Sequence, residues 1–220
     1  MKTPLVIDYF SDVLCVWAWI AQRRIDELKH NWPSEIRIEY HYLNLFGDTG
    51  ERIGKQWRDR GGFAGFGQHV IESAAPYEHA PVNADIWRGA TPKTSAAAHL
   101  VLKAVETIAG GPGSATELDQ ELRRRFFVSG LDIGRLDVAL SVAVESGLDG
   151  DALRKAIDSG EALAALMRDY QLAQQTGVKG SPSWVLNSGR QTLYGNVGYR
   201  VLHANVEELL HRPEQEASWC

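Results

Sequence analysis

The chain has 220 residues, 44% apolar and 23% charged, the composition of a globular protein with a core for one large or two small domains. Acidic residues outnumber basic ones 28 to 23, for a net charge of −5, and the densest basic run, Arg123-Arg124-Arg125, lies among Glu117, Asp119 and Glu121, which disfavours a nucleic-acid partner. No run approaches the roughly 18 apolar residues of a membrane span. The opening Met-Lys-Thr-Pro leads into a strand without the apolar stretch of an export signal. The two cysteines, Cys15 and Cys220, do not make a disulfide framework, so the expectation is a cytoplasmic protein whose Cys15 is catalytic or inert.

The elements follow in order. Residues 4–10 form an apolar run read as a buried strand. Ser11 or Asp12 is placed to cap a helix over 15–30, where Trp17, Ile20, Ala21, Ile25 and Leu28 recur at helical spacing. Asn31-Trp32-Pro33-Ser34 ends it. Ile36, Ile38, Tyr40 and Tyr42 then alternate with Arg37, Glu39 and His41, a strand pattern. This is a βαβ unit, for which a right-handed crossover between parallel strands is expected. Residues 47–90 show poor periodicity, and Gly61–Gly67 reads as a mobile turn. It lacks the Gly-Lys-Ser/Thr ending of a phosphate loop.

Thr91-Pro92 marks a helix start, with helical pattern over 92–109, a break at Gly110-Gly111-Pro112-Gly113, and a capping box at Ser114-x-x-Glu117. Helices are predicted over 115–128, 135–146, 150–158 and 161–175, with Gly177 as the final stop. Period two returns in 183–186 and 191–194 around the turn Asn187-Ser188-Gly189-Arg190. A last helix spans about 199–211, with Val201, Leu202, Val206, Leu209 and Leu210 apolar. The order is βαβ, a helical block, then ββα, and the fold class is α/β.

Cys15 stands in the first turn of a helix that follows a strand, where free N–H groups and the helix dipole favour a thiolate. Ser11 is read as a cap rather than a nucleophile, since no neighbouring histidine could activate it. Trp19 is read as a packing residue. None of the seven histidines forms a His-x-x-x-His pair or stands by a cysteine, so no metal site is expected. His69 and His79 are read as loop residues.

Asp12-Val13-Leu14-Cys15-Val16-Trp17-Ala18-Trp19, together with Thr176-Gly177-Val178-Lys179-Gly180-Ser181-Pro182, resembles the DsbA-like branch of the thioredoxin superfamily, including FrnE-like proteins, 2-hydroxychromene-2-carboxylate isomerases and kappa-class glutathione transferases. The resemblance covers nearly the whole chain. It implies a thioredoxin-like domain from 1–46 and 176–220, with a helical insertion domain over 47–175. It implies a cis bond before Pro182, the Ser181 backbone beside Cys15 for pairing with a bound peptide or glutathione, and Trp17 as a wall of the substrate cleft.

Two departures from the family pattern bear on the chemistry. A dithiol enzyme needs a resolving thiol three residues after the first, and Ala18 stands there. Glutathione-binding relatives carry a Ser-Asp pair early in the last helix, where this chain has Asn196-Val197-Gly198-Tyr199-Arg200. The expectation is therefore a monothiol oxidoreductase acting through Cys15 on a small thiol or disulfide, or a peptide, with glutathione as co-substrate and no tightly bound cofactor. Alternatives are a glutathione-dependent isomerase or transferase, and a non-catalytic binding protein. Cys220 is a candidate resolving thiol. Its tail, residues 213–220, reaches about 27 Å only at full stretch, and a homodimer partner is an alternative donor.

Overall fold

The computed structural model describes residues 3–111 and 113–212. Strand β1 (Leu5–Ser11) runs into helix α1 (Val16–Asn31) and returns as β2 (Ile36–Tyr42); β3 (Ser183–Leu186), β4 (Gln191–Tyr194) and helix α8 (Tyr199–His211) close the chain. The sheet order is β2-β1-β3-β4, with β2 parallel to β1 and the other pairings antiparallel. Between the halves lie α2 (Gly62–Ala74), α3 (Ala96–Ala109), α4 (Thr116–Phe127), α5 (Leu136–Glu145), α6 (Gly150–Asp158) and α7 (Glu161–Gln175). This is the α/β thioredoxin-like order with helices inserted after β2.

Period two assigns the two faces of the sheet. Leu5, Ile7 and Tyr9 of β1, with Ile36, Ile38 and Tyr40 of β2, pack on Ala21, Ile25 and Leu28 of α1 and Leu202, Val206 and Leu209 of α8. Phe10 and Val185 point the other way, onto Leu172 and Ala173 of α7 and Val178. With both faces covered, β1 reads in sequence as a nearly unbroken apolar run. The hairpin bends where expected, with Asn187, Ser188 and Gly189 all at positive φ, and Gly177 follows α7 at φ 70.

The helical block has its own core. Its axis is α3, buried nearly all round at Ala98, Val101, Leu102, Ala104 and Val105. Trp87, Phe126, Phe127, Ile133, Leu140, Leu153 and Leu166 belong to the same cluster, and so do Val16, Ala18 and Ile20 from the first turns of α1.

Three local expectations need correction. Gly61–Gly67 is not a loose turn: Gly62 opens α2, and one π-helical turn (Gly50–Lys55) and one 3-10 turn (Arg58–Arg60) precede it. The glycines there permit close contact, since a Cβ on Gly65 would lie 1.7 Å from the Arg60 carbonyl and one on Gly67 2.2 Å from the Ile86 carbonyl. Close approach outweighs glycine's poor helix propensity. The capping box does not form, because the Ser114 hydroxyl donates to the Gly111 carbonyl and α4 begins at Thr116. The helix expected from Thr91-Pro92 begins only at Ala96, whose N–H donates to Thr94 Oγ1.

A buried ion network fastens α3 and α7 to the sheet. Asp169 of α7 accepts from the Tyr42 N–H at 2.9 Å, pairs with Lys103 Nζ at 2.6 Å and meets His41 Nδ1 at 3.0 Å. His41 Nε2 meets Asp8 at 3.0 Å, and Lys103 also pairs with Glu106 at 2.7 Å. Burial alone would depress His41, but the two carboxylates on its ring nitrogens hold it up at about 9. A histidine raised in the folded state contributes stability that is complete below its unfolded pKa of about 6.5 and is lost as pH rises through the folded value. Urea unfolding should therefore show a loss on the order of 2–3 kcal/mol between pH 6.5 and 9.5 from this group. Asp8→Asn, which removes one of the two carboxylates, should shrink that pH dependence. An Asp8→Asn protein with the full wild-type slope would refute the assignment.

Candidate functional site

The site is built at the β1–α1 junction. Cys15 is the N-cap of α1, in extended conformation at φ −84, ψ 117. Its N–H donates to the Asp12 carbonyl at 3.0 Å, and its own carbonyl accepts from the N–H groups of Ala18 and Trp19, each at 3.1 Å. The thiol lies beneath the loop that enters β3 and donates to the Ser181 carbonyl at 3.3 Å. The Ser181–Pro182 bond is cis. The Ser181 hydroxyl accepts from the Asp12 N–H at 2.9 Å, so the two loops are joined at both residues. Cys15, Ser181 and Pro182 are thus brought together.

The thiol is hidden: Cys15 is 3% exposed. Burial pushes its pKa up, and its hydrogen bonds at Ser181 and Ala18 oppose that only in part. Burial, the largest influence on the thiol, thus works against the thiolate that a helix end favours.

Three residues to which the sequence reading assigned no such role, Asp12, His99 and Arg123, hold the loop. The carboxylate of Asp12, fully buried, accepts from the N–H groups of Leu14 (3.0 Å), Leu45 (3.2 Å) and Phe46 (2.9 Å) and from the Ser95 hydroxyl (2.7 Å). His99 Nε2 accepts from the Val13 N–H at 3.1 Å. Arg123, 1% exposed, is anchored on Asp119 at 2.7 Å and donates to the Asp12 carbonyl and the Ser11 hydroxyl, each at 3.0 Å. Ser11 therefore ends β1 and binds Arg123; it does not cap α1, and neither does Asp12, whose carboxylate serves Leu14. One signal was legible for Arg123: it follows Asp119 by four positions on the α4 face that also carries Leu122 and Phe126, so an ion pair lies on an apolar stripe. His99 similarly sits within the apolar run of α3.

The other sequence candidates divide. Trp17 is half-buried against the core of the helical block. Trp19 packs as expected, its indole N–H on the Pro81 carbonyl at 3.2 Å and its ring stacked on Phe127. His79 meets the Ile20 carbonyl and His69 packs on Trp57 and Phe66. Ala18, in the resolving position, is buried. Asn196, ahead of α8, donates to the Tyr77 hydroxyl. Cys220 lies outside the described residues. Among the described residues, one group has metal-ligand proximity, with Asp8, Glu39 and His41 atoms within 4.8 Å of one another; its histidine is the one already held by Asp8 and Asp169. No helix among the described residues is long and apolar enough to cross a membrane.

With this geometry in view, residues 6–207 match the family model described as the DSBA-like thioredoxin domain. A curated relative, the ClpXP adapter protein SpxH of Halalkalibacterium halodurans, is 23% identical over 98% of this chain and 71% of its own length. Among solved structures, the cytosolic disulfide reductase DsbM of Pseudomonas aeruginosa superposes with a TM-score of 0.67 at 20% identity, covering 92% of this chain and 99% of that one. A 2-hydroxychromene-2-carboxylate isomerase superposes at 0.66 and 15% identity, covering 97% of this chain and 100% of that one.

The His99 bond sets a pH dependence. A nitrogen that accepts from the Val13 N–H cannot also carry a proton, and burial holds His99 below its ordinary value. A depressed histidine contributes stability that is present above its unfolded pKa of about 6.5 and is lost as pH falls below it. Thermal midpoints should fall between pH 7.5 and 5, and His99→Gln, whose amide oxygen can accept without titrating, should flatten that fall. An equal slope in both proteins would sink this role for His99.

Proposed function

We propose a function from one premise: the chain belongs to the DSBA-like thioredoxin domain family, whose model spans residues 6–207. Cys15 acts as the single thiol of a thiol–disulfide oxidoreductase, with an external thiol such as glutathione completing the cycle. The observation that supports this most directly is the Cys15 sulfur held 3.3 Å from the Ser181 carbonyl, beside the cis Ser181–Pro182 bond. A disulfide chain laid along Ser181 would bring its sulfur to the same place, its backbone adding to the loop as a strand would.

The chemistry follows from the side chains present. Cys15 loses its proton, and the thiolate attacks one sulfur of a small disulfide or peptide disulfide. A Cys15–substrate disulfide forms as the second sulfur leaves as thiolate. Since Ala18 offers no second thiol, an external thiol attacks the adduct, regenerates Cys15 and departs in a new disulfide. One substrate sulfur is released as a thiol in the first step, and the other leaves in the second as a disulfide with the external thiol, which a further equivalent of that thiol reduces. Because the resting thiol is buried and its pKa raised, exchange requires the Ser181 loop or the helical block to uncover it.

The same burial favours a second reading, a glutathione-dependent isomerase or transferase. A Cys15 that stays protonated would donate its S–H to the sulfur of bound glutathione, as a serine hydroxyl would.

Peptide mass spectrometry after exposure to oxidised glutathione separates the readings. An adduct mapped to Cys15, reversed by excess reduced glutathione and absent from Cys15→Ser, is the expected result. Unmodified Cys15, where a control thiol reacts fully, would overturn the oxidoreductase. Binding of reduced glutathione by that unreactive protein would then favour the isomerase or transferase. Absence of binding would favour a binding role, of the kind named for the SpxH adapter relative.

A further inference from the structure

Arg123 comes from the helical block, yet most of its hydrogen bonds serve the β1–α1 junction. Its Nη1 donates to the Asp12 carbonyl at 3.0 Å and lies 3.5 Å from the Val13 carbonyl; its Nη2 donates to the Ser11 hydroxyl at 3.0 Å and to Asp119 at 3.3 Å. Nε donates to Asp119 at 2.7 Å. The same Asp12 carbonyl accepts the Cys15 N–H, so the guanidinium and the thiol residue share one acceptor. A buried guanidinium is costly unless its donors are matched. Here the match is made with the turn that carries the thiol, where a rigid planar fork of five donors reaches Asp119 on one side and the turn on the other, a geometry an ammonium does not supply.

We propose that Arg123 is a positioning residue for Cys15: it fixes the Ser11–Val13 turn against the helical block and sets a buried positive charge where the thiolate must form. The proposal rests on Cys15 being the working thiol. The charged and titratable groups around the turn are Asp12 from the junction itself, Arg123 and Asp119 from α4, His99 from α3 and Tyr9 from β1. Asp12 opposes the thiolate. Asp119 neutralises part of the arginine's charge, and His99 and Tyr9 are uncharged at neutral pH, since burial depresses the histidine and raises the tyrosine. Arg123 is thus the cation of this group, and attraction to the Cys15 thiolate contributes to its own raised basicity.

The test reads the acidity of Cys15 by ultraviolet thiolate absorbance across pH, with Cys15→Ser as the blank so that Cys220 cancels. Arg123→Lys keeps the charge but loses the fork, and should weaken the Cys15 acid dissociation constant about threefold. The paired Asp119→Asn, Arg123→Met change removes both charges together, so that no buried carboxylate is left alone, and should weaken it about tenfold. Folded variants, by circular dichroism, with the wild-type midpoint would overturn the proposal. Should neither variant fold, Ser11→Ala cuts one Arg123 bond without exposing charge; an upward shift supports the proposal and an unmoved midpoint refutes it. The titration involves no disulfide. A wild-type protein that forms no glutathione adduct would therefore defeat the oxidoreductase reading while leaving the Arg123 result to stand or fall by itself.

Discussion

The buried carboxylate of Asp12 is the constraint on which the rest of the site depends. A negative charge without solvent is costly, and it persists only where donors surround it. Asp12 draws those donors from three places: the turn itself through Leu14, the chain leaving β2 through Leu45 and Phe46, and the entry to α3 through Ser95. Its backbone N–H reaches a fourth place, Ser181 in the cis-proline loop. One residue thus ties the first strand, the second strand, the helical block and the return to β3. The thiol three positions later inherits its place from these bonds.

Helical insertion and sheet are therefore bound together at the thiol rather than merely adjacent. Arg123 and His99 approach the same turn from α4 and α3, and each contacts backbone atoms of the loop. One turn further along α3, the His41–Asp169–Lys103 network repeats the arrangement with β2 and α7. In both places a buried charge is matched across the boundary between the two bodies. Such matched pairs add less to stability than to fixing one relative arrangement.

The long elements were legible because each obeys one period over many residues. Alternation in Ile36–Tyr42 and the stripe from Ile20 to Leu28 leave little choice of structure, and Gly177 and the Asn187–Gly189 turn mark ends by backbone chemistry. The α2 region was not legible: its glycines are there for contact with the Arg60 and Ile86 carbonyls, a tertiary requirement that helix propensity cannot reveal. Cys15, Ser181 and Pro182 could be picked out from local motifs and resemblance. The shift of the thiol toward its neutral form could not, since it depends on how deeply the turn is covered. Asp12 was visible only as a helix-cap candidate, because its four acceptor bonds come from segments up to 83 positions away.

Helix α1 belongs to two cores. Val16, Ala18 and Ile20 pack into the helical block, while Ala21, Ile25 and Leu28 pack onto the sheet. A single rod embedded in both bodies couples their disordering: loosening the block withdraws the footing of the helix start, and loosening the sheet strips the same helix from the other end. One cooperative unfolding transition is therefore expected, although the topology draws two bodies. The sulfur of Cys15 sits at the end of that rod, at the point where the footings of both cores meet.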